Sequence, residues 1–133
     1  MLSRKLDNFI EKHYENNKSA LLLKGARQVG KTSAIRKYAR KQKMNLIEIN
    51  FYEDDSACGI FKGSQNAKDV LLRISAHTKK KTSLPNTMIF FDEVQKCPEV
   101  ITWIKFLVDE GSCKYALSGS SLGVELKGVE SVP

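Results

Sequence analysis

The chain has 133 residues, 41% of them hydrophobic and 28% charged, with a formal net charge of +7. That length suits one domain, and that balance of residues excludes wholesale disorder. Its longest apolar runs, Ala20–Leu23 and Met88–Phe91, fall far short of the roughly 20 residues that span a bilayer, and the charged opening segment has no apolar stretch like that of a secretory signal.

A helix is predicted first, because Leu2, Leu6, Phe9, Ile10 and His13 or Tyr14 recur at helical spacing until the polar Glu15–Lys18. Ser19–Lys24 (SALLLK) is too short for a helix and reads as a buried parallel strand. After a glycine-containing loop, Lys31–Lys43 is helical, with Ala34, Ile35, Tyr38 and Ala39 on one face and Arg36, Lys37, Arg40, Lys41 and Lys43 on the other. Asn45–Phe51 reads as a strand, Glu53–Gly63 as an acidic loop, Asn66–His77 as a helix and Thr87–Phe91 as another buried strand. Pro98 opens a helix that Gly111 stops, and Lys114–Leu117 forms a fourth strand. Such alternation predicts right-handed βαβ units and a parallel sheet covered by helices on both faces.

The basic excess is local. Met1–Asn45 carries 12 Lys and Arg against 3 Asp and Glu, whereas Leu46–Pro133 carries 10 against 12. An excess so placed fits a phosphate-bearing partner, nucleotide or nucleic acid. Cys58, Cys97 and Cys113 have no metal-ligand spacing, so reduced thiols in a cytoplasmic protein are expected. His13 and His77 stand alone and give little from which to build a zinc site or a histidine-dependent triad.

Between the first strand and its helix lies Gly25-Ala26-Arg27-Gln28-Val29-Gly30-Lys31-Thr32, which fits G-x-x-x-x-G-K-[ST] at every fixed position. The two glycines let the backbone curl so that its N–H groups face inward as a nest for phosphates, and the helix start adds unpaired donors. Lys31 is expected to reach the β- and γ-phosphates and Thr32 to ligate Mg2+, with Ser33 next to it in the nucleotide-binding segment. Arg27 fills a variable position, where it is either solvated or a sensor of the γ-phosphate.

Met88-Ile89-Phe90-Phe91 runs directly into Asp92-Glu93. A buried strand that ends so delivers Asp92 to the sheet's carboxyl edge as a metal residue, and Glu93 to polarise a water for attack on the γ-phosphate. The guanine-reading [NT]-K-x-D sequence is absent, which favours ATP. At the tip of the fourth strand, Ser118-Gly119-Ser120-Ser121 offers hydroxyls between Lys31 and Asp92. Ser120 is the expected sensor, with Ser118 the runner-up.

With LLLKGARQVGKT, FFDEVQKCPEV and ALSGSSLGVEL in this order, nearly the whole chain resembles a family of prokaryotic AAA-type ATPases. The resemblance implies a three-layer P-loop NTPase sandwich with strand order 5-1-4-3-2. It further implies nucleotide binding by Gly25–Thr32, Mg2+ held by Thr32 and Asp92, catalysis by Glu93, and an attached C-terminal domain. Four strands are legible and nothing after Leu126 reads as a fifth, so the expectation for residues 1–133 is an ATPase core cut short before its fifth strand and lid, with an open edge on the first strand.

The leading expectation is therefore an Mg2+-dependent ATPase, its hydrolysis coupled to conformational change in a partner or attached domain, with oligomers possible. DNA is a candidate partner through Arg36, Lys37, Arg40, Lys41 and Lys43. The alternative is a nucleotide-dependent switch with little turnover. A small-molecule kinase fits less well, since adjacent acidic residues suit water as the acceptor.

Overall fold

The computed structural model describes residues 2–16, 20–24, 30–119 and 129–132. In chain order the elements are helix α1 (Leu2–Asn16), strand β1 (Ala20–Lys24), α2 (Lys31–Lys41), β2 (Asn45–Asn50), a 3-10 helix (Asp55–Phe61), α3 (Ala67–Thr78), β3 (Thr87–Asp92), a short 3-10 turn (Val94–Lys96), α4 (Glu99–Glu110), β4 (Lys114–Gly119) and β5 (Val129–Val132). The strands form one sheet in the order β2-β3-β4-β1-β5, and every pairing is parallel.

Side chains alternate across this sheet, as the period of a strand requires. Leu22, Ile47, Ile49, Ile89, Phe91, Tyr115 and Leu117 face one way, where α3, α4 and the longer 3-10 helix cover them. Leu21, Leu23, Met88, Phe90 and Ala116 face the other, under α1 and α2. β1, β3 and β4 are buried on both sides, which is why their sequences are continuous apolar runs. Local signals bound the helices. The Asn66 side chain accepts the Asp69 N–H at 2.8 Å to start α3, and Gly111 ends α4 at φ 84°.

Three expectations need correction. The fifth strand is present: Val129–Val132 pairs with β1, Ala20 opposite Val129 and Leu23 opposite Val132. It covers the β1 edge that the sequence had suggested was open, and β2 and β5 are the edges instead. Four residues reading V-E-S-V carry too little periodicity to mark a strand without the neighbour they pair with. The stretch taken as an acidic loop holds the 3-10 helix Asp55–Phe61, because Ala57, Ile60 and Phe61 turn into the core together.

The third correction concerns the cysteines. Cys58 and Cys97 form a disulfide, their Cα atoms 5.7 Å apart across a sequence separation of 39, while Cys113 remains a buried thiol. The longer 3-10 helix packs against α4 and places the two residues side by side. No sequence spacing encodes such a meeting.

Candidate nucleotide site

The site forms at the carboxyl ends of β1, β3 and β4, where the strands' alternation ends and their last residues meet the start of α2. Gly30 caps that helix at φ 75°, ψ 13°, a left-handed conformation that favours glycine, and its carbonyl accepts the Ala34 N–H at 2.9 Å. Lys31 follows as the first helical residue. It is only 6% exposed, and burial pulls its ammonium below the ordinary lysine range while the Glu93 and Asp92 carboxylates oppose that shift. Thr32 turns toward β3, and its hydroxyl donates to Asp92 Oδ2 at 3.2 Å.

Asp92 is the hub. Besides Thr32, its Oδ2 receives the Asn50 amide at 3.4 Å from the neighbouring β2, where Asn50 is its register partner. Its Oδ1 accepts the Ser118 hydroxyl from β4. Ser118 also accepts the Glu93 N–H at 3.1 Å, so a single hydroxyl from β4 ties together both acidic residues. Glu93 itself is 7% exposed and sits at φ 60°, ψ 48°, a strained conformation for a residue with a side chain. Its Oε1 accepts the Gln95 amide at 2.8 Å.

Thr32 and Asp92 fit a hard divalent cation. Both offer oxygen, and adjacent corners of an octahedron with about 2.1 Å bonds lie about 3.0 Å apart, close to the 3.2 Å between the two oxygens. Beside them opens a cavity of about 490 Å3, walled also by Arg36, Asn50, Asp54 and His77. Asp54 and His77 pair there at 2.7 Å, and that bond holds the Asp54 carboxyl below its usual range.

Of the residues singled out in the sequence, Gly30, Lys31, Thr32, Asp92 and Glu93 thus converge. Ser33 is exposed on the outer side of the first turn of α2. Gly25, Ala26, Arg27, Gln28, Val29 and Ser120 lie outside the described residues, and Ser118 is the hydroxyl found on Asp92. Asn50 and Gln95 were not anticipated. A polar residue ending β2 in line with Asp92 was the available signal for Asn50, and for Gln95 it was its place in FFDEVQKCPEV, to which no role was given. The basic face of α2 is substantially paired: Arg36 binds Glu48 through two bonds of 2.9 Å, Lys37 meets Asp7 at 2.7 Å and Lys41 meets Glu11 at 2.5 Å. Among the described residues, no helix is long and apolar enough to cross a membrane.

A five-stranded parallel sheet in this order, with a lysine and a hydroxyl at the first helix start facing an acidic strand end, defines a P-loop nucleotide-binding domain of the additional-strand class. Comparison with known families agrees: residues 17–133 match the AAA domain, and the chain belongs to that family. No curated protein matches it.

Proposed function

We propose that the chain binds ATP with Mg2+ and hydrolyses it, and that hydrolysis drives a conformational change in an attached domain or partner. The observation that carries this reading is the approach of Thr32 to Asp92 at 3.2 Å with Lys31 and Glu93 buried beside them. Nucleotide binding alone would need the lysine and the phosphate nest. Glu93, adjacent to the metal residue and hydrogen-bonded into place, supplies the base that hydrolysis requires.

In this reading the main-chain donors of Gly25–Gly30 and the Lys31 ammonium hold the phosphates, and Lys31 is drawn fully into its charged form by their negative charge. Mg2+ held by Thr32 and Asp92 would neutralise charge on the β- and γ-phosphate oxygens. Glu93 takes a proton from water as the new oxygen–phosphorus bond forms and the bond from the γ-phosphorus to the bridging oxygen breaks. Ser118 keeps Asp92 and Glu93 in register during that step, since it bonds to both.

Mg2+-dependent ATP turnover by the chain and by Glu93→Gln is the test. The variant should lose at least about 100-fold in kcat, as for removal of a general base, while ATP affinity is retained. Unchanged turnover in Glu93→Gln would overturn the assignment of the base. ATP binding with no turnover in either protein would establish a nucleotide-dependent switch instead.

A further inference from the structure

We propose that Gln95 is a positioning residue for Glu93: its side-chain amide holds the carboxylate in the orientation from which it takes the proton of the attacking water. The inference rests on the assignment of Glu93 as base. It adds a residue that neither the phosphate loop nor the acidic pair includes.

The main chain of Glu93 is already fixed. Its N–H donates to the Ser118 hydroxyl at 3.1 Å, its carbonyl accepts the Lys96 N–H at 3.0 Å, and its φ of 60° lies in a narrow basin. The side chain adds torsions that allow the carboxylate several positions. Gln95 Nε2 donates to Glu93 Oε1 at 2.8 Å and selects one of them. Gln95 is in turn fixed from below. It lies in the Val94–Lys96 turn between fully buried Val94 and Cys97, the Cys97 N–H bonds to the Val94 carbonyl at 2.9 Å, and Cys97 is joined to Cys58.

The chemistry of the donor matters. An ammonium or guanidinium at this place would form a stronger, charge-neutralising pair and make the carboxylate a poorer base. A neutral amide orients the carboxylate without adding a positive charge. The Gln95 bond takes one of the about four lone-pair sites that a carboxylate offers.

The test compares Gln95→Ala, which deletes the donor, with Gln95→Glu, which replaces it by an acceptor-only anion. Steady-state turnover, ATP affinity from a fluorescent analogue, and thermal melting are measured for each, in the native background and with Glu93→Ala. We expect kcat to fall about tenfold in Gln95→Ala and further in Gln95→Glu, with KM and ATP affinity unchanged and stability lowered by no more than the about 1 kcal/mol of the deleted hydrogen bond. On the residual turnover of Glu93→Ala, Gln95→Ala should have no further effect, because the group it positions is gone. Native kcat in Gln95→Ala, or an equal loss in both backgrounds, would overturn the inference. The two readings fail separately: turnover that survives Glu93→Gln removes the base, whereas turnover that dies there but survives Gln95→Ala removes only the positioning role. If the chain shows no turnover, urea unfolding of the native chain, Gln95→Ala, Glu93→Ala and the double variant reads the contact directly, and additive midpoints would overturn it.

Discussion

The two helical layers that cover this sheet are held by different means. The layer of α3, α4 and the longer 3-10 helix shares with the sheet a core of 21 buried residues among those described, and a disulfide pins it beside the loop that carries Glu93. The layer of α1 and α2 shares a core of ten, and its surface is laced by Lys37–Asp7 and Lys41–Glu11. The acidic half of the site thus rests on the larger core and a covalent tie, whereas the lysine half rests on a helix attached by a smaller apolar seam. A site that must close around phosphates and then release them is well served by this asymmetry, since one wall keeps its geometry while the other carries fewer buried contacts to shift.

The most damaging way to break the contrast is to cut the tie. Cys58→Ser leaves Cys97 with no partner for a disulfide and frees a loop of 39 residues in the unfolded chain. Chain-entropy reasoning puts the loss at roughly 2–4 kcal/mol. Urea unfolding of the native chain with and without reductant, set beside the variant, checks this. A reductant should lower the native midpoint toward that of Cys58→Ser and leave the variant unmoved. A native midpoint indifferent to reductant would show that the larger core alone stabilises this layer.

A smaller effect separates two tyrosines. Tyr14, on α1, donates its hydroxyl to the Tyr115 carbonyl at 2.5 Å in a buried setting, and burial, with Tyr38 beside it, raises that hydroxyl far above the ordinary tyrosine range. The hydroxyl of Tyr115 points into the opposite layer, where among the described residues only the weakly polar Cys113 thiol is near enough to interact with it. Tyr14→Phe should therefore cost about 1 kcal/mol. Tyr115→Phe should be neutral or slightly stabilising, because it removes a buried polar group that gains nothing. Thermal melts of both variants rank them, and a larger loss at Tyr115 would reverse the picture of which layer depends on polar contacts.

What the sequence made legible follows the same division. Strands β1, β3 and β4 were readable because burial on both faces forces unbroken apolar runs, and α2, α3 and α4 because each has one apolar face. Of the G-x-x-x-x-G-K-[ST] spacing, the described Gly30, Lys31 and Thr32 stand at the start of α2, where that spacing puts a helix start. Features made by tertiary contact were not readable. Val129–Val132 becomes a strand only beside Ala20–Leu23, and the 39-residue separation of Cys58 from Cys97 matches no local motif. Asn50 and Gln95 are single polar residues whose meaning lies in the distance to a carboxylate, and no periodicity marks them, while Ser118 was legible only as second choice to Ser120. The sequence likewise put Arg36, Lys37, Arg40, Lys41 and Lys43 on one helix face, whereas Lys43 lies past the end of α2 at φ 54° and α1 and β2 supply carboxylates to three of the others.

Those surface pairs provide the smallest expected effect on stability. Lys37 and Lys41 have long, largely exposed side chains, so solvent screening and side-chain entropy offset most of the attraction at 2.7 and 2.5 Å. Removing the acidic partners with Asp7→Asn and Glu11→Gln should leave the melting temperature unchanged within error. The same pair of substitutions asks whether this face meets DNA. Each liberated lysine that reaches a phosphate adds about 0.9 to the steepness with which log affinity falls against log salt. If α2 is a DNA-binding face, the double variant should bind a duplex more tightly than the native chain, with a slope steeper by up to about 2. Equal affinity and equal slope in the two proteins would show that Lys37 and Lys41 do not meet DNA.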